Sequence, residues 1–406
     1  MSHSAASANT TIYLDYAATT PVDPLVLNKM LPYFGAEYSN ASSMHASGRR
    51  AAQVIAKVRR EVADILVCSS DEIIFTGSGT ESDNLALKGV AHANRTAGNH
   101  IIISAIEHKA VMESAKQLEK EGFSVSILPV DTTGMIDIDK CLSLITAQTV
   151  LISVMYANNE IGTIEPIREL TEAVQKWRTE YGSGSGAFPL VHTDACQAAG
   201  SLELDVNKLG VDLMSLNGSK IYGPKGVGLL YKKRSVRIEP LVVGGEQERM
   251  LRAGTESLPS IVGFGEALKF AHEIRKEESV RLVGLREYFI ENLLRKIPQA
   301  IVNGHRNLRL PNNVHISIPH IEGESILLML DHAGIEASTG SACSALDLRP
   351  SHVLMAIGQS AEFAHGSIRF SLGRHTTRED MDYVLSVFPG ITVRLSNMSA
   401  LTASFS

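Results

Sequence analysis

The sequence predicts an α/β fold: a large domain on a mainly parallel sheet covered by helices, then a smaller α+β C-terminal domain. Three observations predict it. From about residue 50 to 260, helix-like spacing of apolar residues alternates with short β-branched runs, the pattern of parallel strands covered on both faces. After LPSIVGFGEALKF a long charged helix runs to about Ile297 and connects to a second domain. Beyond it, an alternating strand, a helix and another strand read as an α+β layer. A chain of 406 residues is long for one ordinary domain and comfortable for two. The expected division is a disordered tail over 1–10, a large domain over 11–263 and a small domain over 264–406. The N-terminal segment of the large domain is expected to pack partly on the small one, which carries the loop of Cys343.

Element by element, GRRAAQVIAKVRREVADIL has helical spacing and EIIFT reads as a strand, followed by a Gly-rich turn and the helical run ESDNLALKGVAHANRTAG. HIIIS, a helix from about Lys109 to Lys120, and SVSILPV come next. TVLISVMYA, PLVHTDA, DLMSLN and VGLLYKK continue the series of strands. YGSGSGAF offers glycine and serine and almost nothing to bury, so it is a surface loop. In the C-terminal domain NNVHISI and GSIRFSL are strands and GESILLMLDHAG a helix.

Composition excludes several classes. The net charge is −6 with no basic block, which argues against nucleic acid as a direct partner. No apolar run approaches the roughly 20 residues needed to span a bilayer. The opening MSHSAASANT lacks the segments of a signal peptide. Cys68, Cys141, Cys196 and Cys343 form no CxxC pair, so neither a disulfide framework nor a zinc site is suggested, and a reducing cytoplasm is the expected compartment.

In open α/β sheets ligands sit at the carboxyl ends of the strands. The loops there hold Gly77 to Thr80, Glu107 with His108, Asn158 with Asn159, Asp194 with Gln197, and Ser219 with Lys220. TGSGTES follows a strand and opens a helix, so Gly79 and Thr80 suit either a phosphate cradle or an ordinary capped helix start. It lacks the lysine spacing of a P-loop, which argues against a nucleotide binder of that kind. Asp194, just past an apolar strand, is costly without a partner. That partner is a cationic ring nitrogen, or else the residue caps a helix. Lys220 can form a Schiff base if desolvation lowers its pKa, with Lys225 a competitor in the same turn. His108 suits ring stacking or acid–base work, or is a satisfied structural histidine. Together these groups describe one cofactor site.

From YLDYAATTPVDP to SIRFSLGRHTT the chain resembles the cysteine desulfurases of the class V aminotransferase group, fold type I of the pyridoxal-phosphate enzymes. The resemblance rests on SNASSMHASGR, FTGSGTESDNLALKG, EHKAV, NNEIGTIEPI, HTDACQAAG, SKIYGPKGVG, RAGTES and STGSACS. It implies that pyridoxal 5′-phosphate is held on Lys220, with Asp194 on the ring nitrogen, Gln197 on the ring hydroxyl, His108 stacked on the ring and Asn159 beside it. Gly79, Thr80 and Ser219 would bind the phosphate, helped by Thr255 of a neighbouring subunit, which makes a homodimer the expected unit, and Asn217 also counts among the cofactor-binding residues. Asn40 and Arg369 would hold the carboxylate of an L-cysteine substrate.

By the same resemblance Cys343 is the sulfur acceptor, Lys220 and His108 move protons, and no metal is resident. The products would be L-alanine and an enzyme persulfide for iron–sulfur cluster assembly or tRNA thiolation. The implied partners are an iron–sulfur scaffold protein or another acceptor, with a transient iron–sulfur cluster contact at Cys343. The chain departs from the group in having Ser219 where histidine usually precedes the lysine, and Asn217 where serine is common. Its tail RLSNMSALTASFS does not resemble the segment that docks scaffolds. The rival readings are a selenocysteine lyase or another class V enzyme, and a catalytically idle partner subunit.

Overall fold

The computed structural model describes residues 11–181, 188–340 and 350–403. The expected 1–10 tail, most of the Gly/Ser loop and Cys343 itself lie outside these described residues. Twelve strands are present among them: β1 (Ile12–Tyr13), β2 (Ile73–Thr76), β3 (His100–Ser104), β4 (Ser124–Leu128), β5 (Thr149–Ser153), β6 (Leu190–Asp194), β7 (Leu213–Asn217), β8 (Gly228–Lys232), β9 (Ile301–Val302), β10 (Asn313–Ser317), β11 (Ile335–Glu336) and β12 (Ser367–Ser371). The chain forms two compact units, one of Thr19–Asn159 with Thr163–Glu277, the other of Met1–Ala18, Glu160–Gly162 and Glu278–Ser406.

In the first unit seven strands lie in the order β2-β8-β7-β6-β5-β3-β4. Alternation along each strand sends Ile102, Ile152, Val191, Met214 and Leu229 to one face, against the helix Ala46–Leu66 and the start of the helix Leu258–Lys296. Ile101, Ile103, Leu151, Leu190 and Leu213 go to the other face, against the helices Gly79–Ala93 and Lys109–Lys120. Both faces are covered, which is why the strands read as unbroken apolar runs. One strand departs from the parallel expectation: β8 runs antiparallel to both β2 and β7. Only a short 3-10 turn, Gly218–Lys220, lies between β7 and β8, and without a crossover helix the chain can return only in the opposite direction. β2 still runs parallel to β7, so the carboxyl ends of β2, β3, β5, β6 and β7 share one edge. The strand order reverses between β3 and β5, the place where a doubly wound sheet opens a crevice.

The second unit holds an antiparallel sheet β12-β10-β9 and a parallel pair β1-β11. Phe370 of β12 stands edge-on to Phe289 and Phe388, with ring centroids 5.3 and 5.6 Å away. Leu14, beside β1, is fully buried in this core, so the N-terminal strand belongs here. The helix Leu258–Lys296 carries the chain from the first unit into the second.

Candidate cofactor site

The site is built at the shared edge of the first unit. After β2, Ser78 caps the 15-residue helix Gly79–Ala93, its hydroxyl accepting from Glu81 N–H at 3.1 Å. The first N–H groups of that helix have no partner within it, and the helix dipole favours an anion there. Gly79 is needed for a close approach: a Cβ at this position would lie 2.6 Å from Cys196 Sγ and 3.4 Å from Asn217 Cβ. The carboxylate of Glu81 is tied back by Gly77 N–H at 2.7 Å and by Arg252 at 2.9 Å, which leaves the cradle's field positive. Thr80 is exposed beside it.

After β7, Asn217 Oδ1 accepts from both the N–H and the hydroxyl of Ser219, at 2.9 and 3.0 Å. This shapes the 3-10 turn that presents Lys220, half-buried. From the chain's start, Thr20 clamps the same turn. Its N–H and hydroxyl donate to Ser219 O at 2.9 and 3.1 Å, and its oxygen accepts from Tyr222 N–H at 2.8 Å. Tyr222 is held at φ +64°, a conformation that side chains reach only when the surroundings fix it.

After β6, Asp194 is buried at 6% exposure and accepts from Cys196 N–H at 2.9 Å. His192 lies two residues back on the same face, its ring bonded to Ser153 and Ser215 hydroxyls at 2.9 and 3.0 Å. Burial pushes the His192 pKa down to about 4, so this ring is neutral and cannot serve as the counter-ion of Asp194. Asp83 and Glu107 complete a buried acidic group around it. Burial, then the charge of Asp194, raises the Asp83 pKa well above the usual carboxylate range. Burial raises that of Glu107 to about 8 against its bonds from Ser104 and Met155. Cys196 is likewise pushed up, first by burial and then by Asp194 and Asp83, against the opposing pull of Lys220. No salt bridge to Asp194 forms among the described residues.

After β3 and β5, His108 and Asn159 flank the crevice. His108 Nδ1 accepts from Ala110 N–H at 3.1 Å and so caps the helix Lys109–Lys120, which leaves the ring's proton on Nε2. Asn158 crosses between the two loops, donating to Ile106 O at 2.9 Å. Gly79 and Asp194 thus meet at Cys196, with Lys220 close enough to act on its thiol, while Asn217 lies beside Gly79 and holds Ser219. Gln197 follows on the turn after Asp194. Asn40 and Thr255 are exposed; the Asn40 side-chain Oδ1 accepts from Ser42 N–H at 2.8 Å. In the second unit Arg369 is buried on β12, opposite His315 in the register, and its guanidinium pairs with Asp15 at 2.7 Å.

Thr20, Asp83, His192 and Cys196 have no role in the sequence reading above. Two signals were available. Strand alternation puts His192 on the face of Asp194, and helical spacing puts Asp83 one turn after Gly79.

The donor set suits pyridoxal phosphate. A helix start with an amide and a hydroxyl beside it fits a phosphate, and a buried carboxylate lacking a cation fits a protonated ring nitrogen. Comparison with known proteins bears on the same residues: the family model described as Aminotransferase class-V matches residues 12–384. The chain belongs to the class V aminotransferase family. Among the family's members, "Cysteine desulfurase IscS" of Dictyoglomus turgidum is 47% identical over 388 residues, 96% of each chain. The protein of the same name from Methanosarcina thermophila is 48% identical over 394 residues, 97% of this chain and 95% of the relative. Among solved structures, a "NifS-like protein" matches with TM-score 0.88 and 37% identity, covering 95% of this chain and all of the other. The NifS-like protein of Rickettsia africae matches with TM-score 0.83 and 31% identity, over 94% and 99% of the two chains. Like these class V proteins, the chain has the α/β architecture of fold type I.

Proposed function

We propose that this class V protein is a cysteine desulfurase that uses pyridoxal phosphate to move sulfur from L-cysteine to Cys343. The observation that carries the reading is Asp194, a buried carboxylate at the end of β6 with no salt bridge among the described residues, near a lysine turn and a helix start opened by Gly79. High identity to proteins named cysteine desulfurases supports it.

In this reading Gly79, Thr80, Asn217 and Ser219 hold the phosphate, and Thr255 reaches the cradle of the neighbouring subunit. Asp194 would keep the ring nitrogen protonated, Gln197 would bond the ring hydroxyl, and His108 and Asn159 would lie beside the ring. Lys220 would hold the cofactor between turnovers, and with the substrate amine in its place the cofactor would supply an electron sink at the α-carbon. Asn40 and Arg369 bind the substrate carboxylate, the arginine through its planar fork. Lys220 takes the α-proton, and His108, with its proton on Nε2, exchanges protons with the thiols. The Cys343 thiolate attacks the substrate sulfur. A sulfur–sulfur bond would form, the carbon–sulfur pair would pass to the β-carbon, that carbon would take a proton, and Lys220 would return one to the α-carbon to give L-alanine.

A homodimer is supported by a set of exposed apolar side chains on the first unit, among them Leu31, Phe34, Tyr38, Met44 and Val243. The persulfide would pass to an iron–sulfur scaffold or another acceptor in the cytoplasm, for cluster assembly or tRNA thiolation, with a transient cluster contact at Cys343. No helix among the described residues is long and apolar enough to cross a membrane.

The test is incubation of the cofactor-loaded protein with cysteine and a reductant, measuring alanine and sulfide together. Equal yields of both, lost in Cys343→Ala, are expected. Alanine formed at the wild-type rate by Cys343→Ala would sink the assignment of the acceptor. Turnover of selenocysteine but not cysteine would make the protein a selenocysteine lyase instead.

A further inference from the structure

The connection between β8 and the helix Leu258–Lys296 holds a backbone outlier. Three consecutive residues with side chains, Glu248, Arg249 and Met250, lie in the left-handed region at φ +46°, +57° and +64°. L-residues visit it rarely and singly, chiefly as asparagine or aspartate, and glycine is its usual occupant. A run of three persists only where its surroundings fix it, and such strain gathers at functional sites. Met250 is 66% exposed, so its own packing does not hold the run.

Glu248 does. Its side chain is 2% exposed and accepts three hydrogen bonds, from Arg59 Nη1 and Nη2 at 2.7 and 2.6 Å and from Phe75 N–H at 3.0 Å. β2 is the edge strand of its sheet, so backbone groups on its outer side need partners from elsewhere. Glu248 satisfies Phe75 N–H there. Arg59 Nη1 donates to Ile73 O at 2.7 Å, and the Arg249 guanidinium donates to the same oxygen. Arg59 projects from the helix Ala46–Leu66, its guanidinium carbon 4.8 Å from the centre of the Phe75 ring. Its planar fork sets one geometry for the carboxylate.

Beyond the run the chain closes a turn. Leu251 N–H donates to Glu248 O at 3.1 Å, and Gln247 Oε1 accepts from Gly254 N–H at 3.1 Å. Arg252 leaves this turn toward the cradle. Its Nε donates to Glu81 Oε1 at 2.9 Å and its Nη2 to Glu81 Oε2 at 3.4 Å, with Nη2 3.5 Å from where a Cβ of Gly77 would stand. Without Arg252, the Glu81 carboxylate would repel an anion at the start of the helix Gly79–Ala93. A buried ion pair under a strained turn is an expensive way to close a sheet edge. What it adds is a fixed exit direction for Arg252.

We propose that Glu248 is a positioning residue for the cofactor phosphate: by locking residues 248–250 in the left-handed turn it sets Arg252 on Glu81 and keeps that carboxylate from repelling the phosphate. The proposal rests on the reading of the cradle as a phosphate site. Its test uses the full chain freed of cofactor, with absorbance titrations by pyridoxal phosphate and by pyridoxal, which lacks the phosphate. The ratio of the two Kd values isolates the phosphate, because a merely structural defect weakens both ligands alike. The preference for pyridoxal phosphate should fall roughly 10-fold in Glu248→Gln and in Arg252→Met. The double variant should lie within about twofold of Arg252→Met, since both changes act through one guanidinium. Adding Glu81→Gln to Glu248→Gln should return the preference to within about threefold of wild type, because no carboxylate is left to neutralise. If Glu248→Gln does not fold, Arg59→Lys, which keeps a charge on Glu248 but loses the fork, carries the test with the same expected fall. A wild-type preference in the Glu248 or Arg59 variant, or additive losses in the double variant, overturns the proposal and leaves the cofactor reading standing. A wild-type protein that binds pyridoxal as tightly as pyridoxal phosphate refutes the phosphate cradle itself, and the role of Glu248 with it.

Discussion

Replacing Gly79 by Ala puts a methyl group 2.6 Å from Cys196 Sγ, about 1 Å inside an ordinary non-bonded contact. Cys196 is buried behind the cradle, so the strain falls on the start of the helix Gly79–Ala93, the part expected to hold the phosphate. Overpacking of this kind costs about 1–3 kcal/mol. Expressed in cofactor affinity, that is about 5- to 150-fold in Kd. The assay is an absorbance titration of apo-protein with pyridoxal phosphate, for Gly79→Ala, Cys196→Ala and the double variant. Because Cys196→Ala removes the sulfur that the methyl strikes, the double variant should bind within about threefold of Cys196→Ala alone, a strong positive coupling between contacting sites. Wild-type affinity in Gly79→Ala would refute the reasoning. So would a double variant showing the same loss as Gly79→Ala, because the clash would then lie elsewhere.

Two further expectations concern the frame of the site. Glu107, with its pKa raised by burial to about 8 from 4.5, is buried as the neutral acid. Its contribution to stability is complete below about pH 4.5 and is lost as pH rises toward 8, because only the unfolded chain ionises there. Glu107→Gln should therefore gain stability relative to wild type between pH 5 and 8.5 in thermal melts, and a constant difference across that range would rule this out. Thr20→Val deletes the acceptor for Tyr222 N–H and one donor to Ser219 O. It should lose about 1–3 kcal/mol in urea denaturation, with Thr20→Ser close to wild type; a stable Thr20→Val would show that the clamp does not bind the lysine turn.

Much of the first unit was legible because its strands are buried on both faces. HIIIS and LVHTD stand out as short apolar runs bounded by helical spacing, and they became β3 and β6. The gathering of loops at one edge followed from sheet chemistry alone. The direction of β8 was not legible. VGLLYKK looks like any parallel strand, and what reversed it is the lack of a helix after Lys220, a property of the connection rather than of the strand. Long-range partners were equally hidden. Thr20 and Tyr222 lie 202 positions apart, and only the folded sheet edge brings them together. The same holds for Asp15 and Arg369, whose pairing depends on the N-terminal strand joining the second unit.

The placement of β8 also bears on how the chain is made. Gly228, its first residue, fits directly against the backbone of Ser78, where a Cβ would come within 2.4 Å, and β8 pairs with β2 along its length. During synthesis the glycine-rich cradle leaves the ribosome some 150 residues before the strand that backs it. Until then β2 has an open edge and the cradle no floor, and contacts so distant in sequence form slowly. The cradle therefore gains its floor only after residue 232 or so has emerged, so any anion that binds there would report late on the folding of the whole sheet.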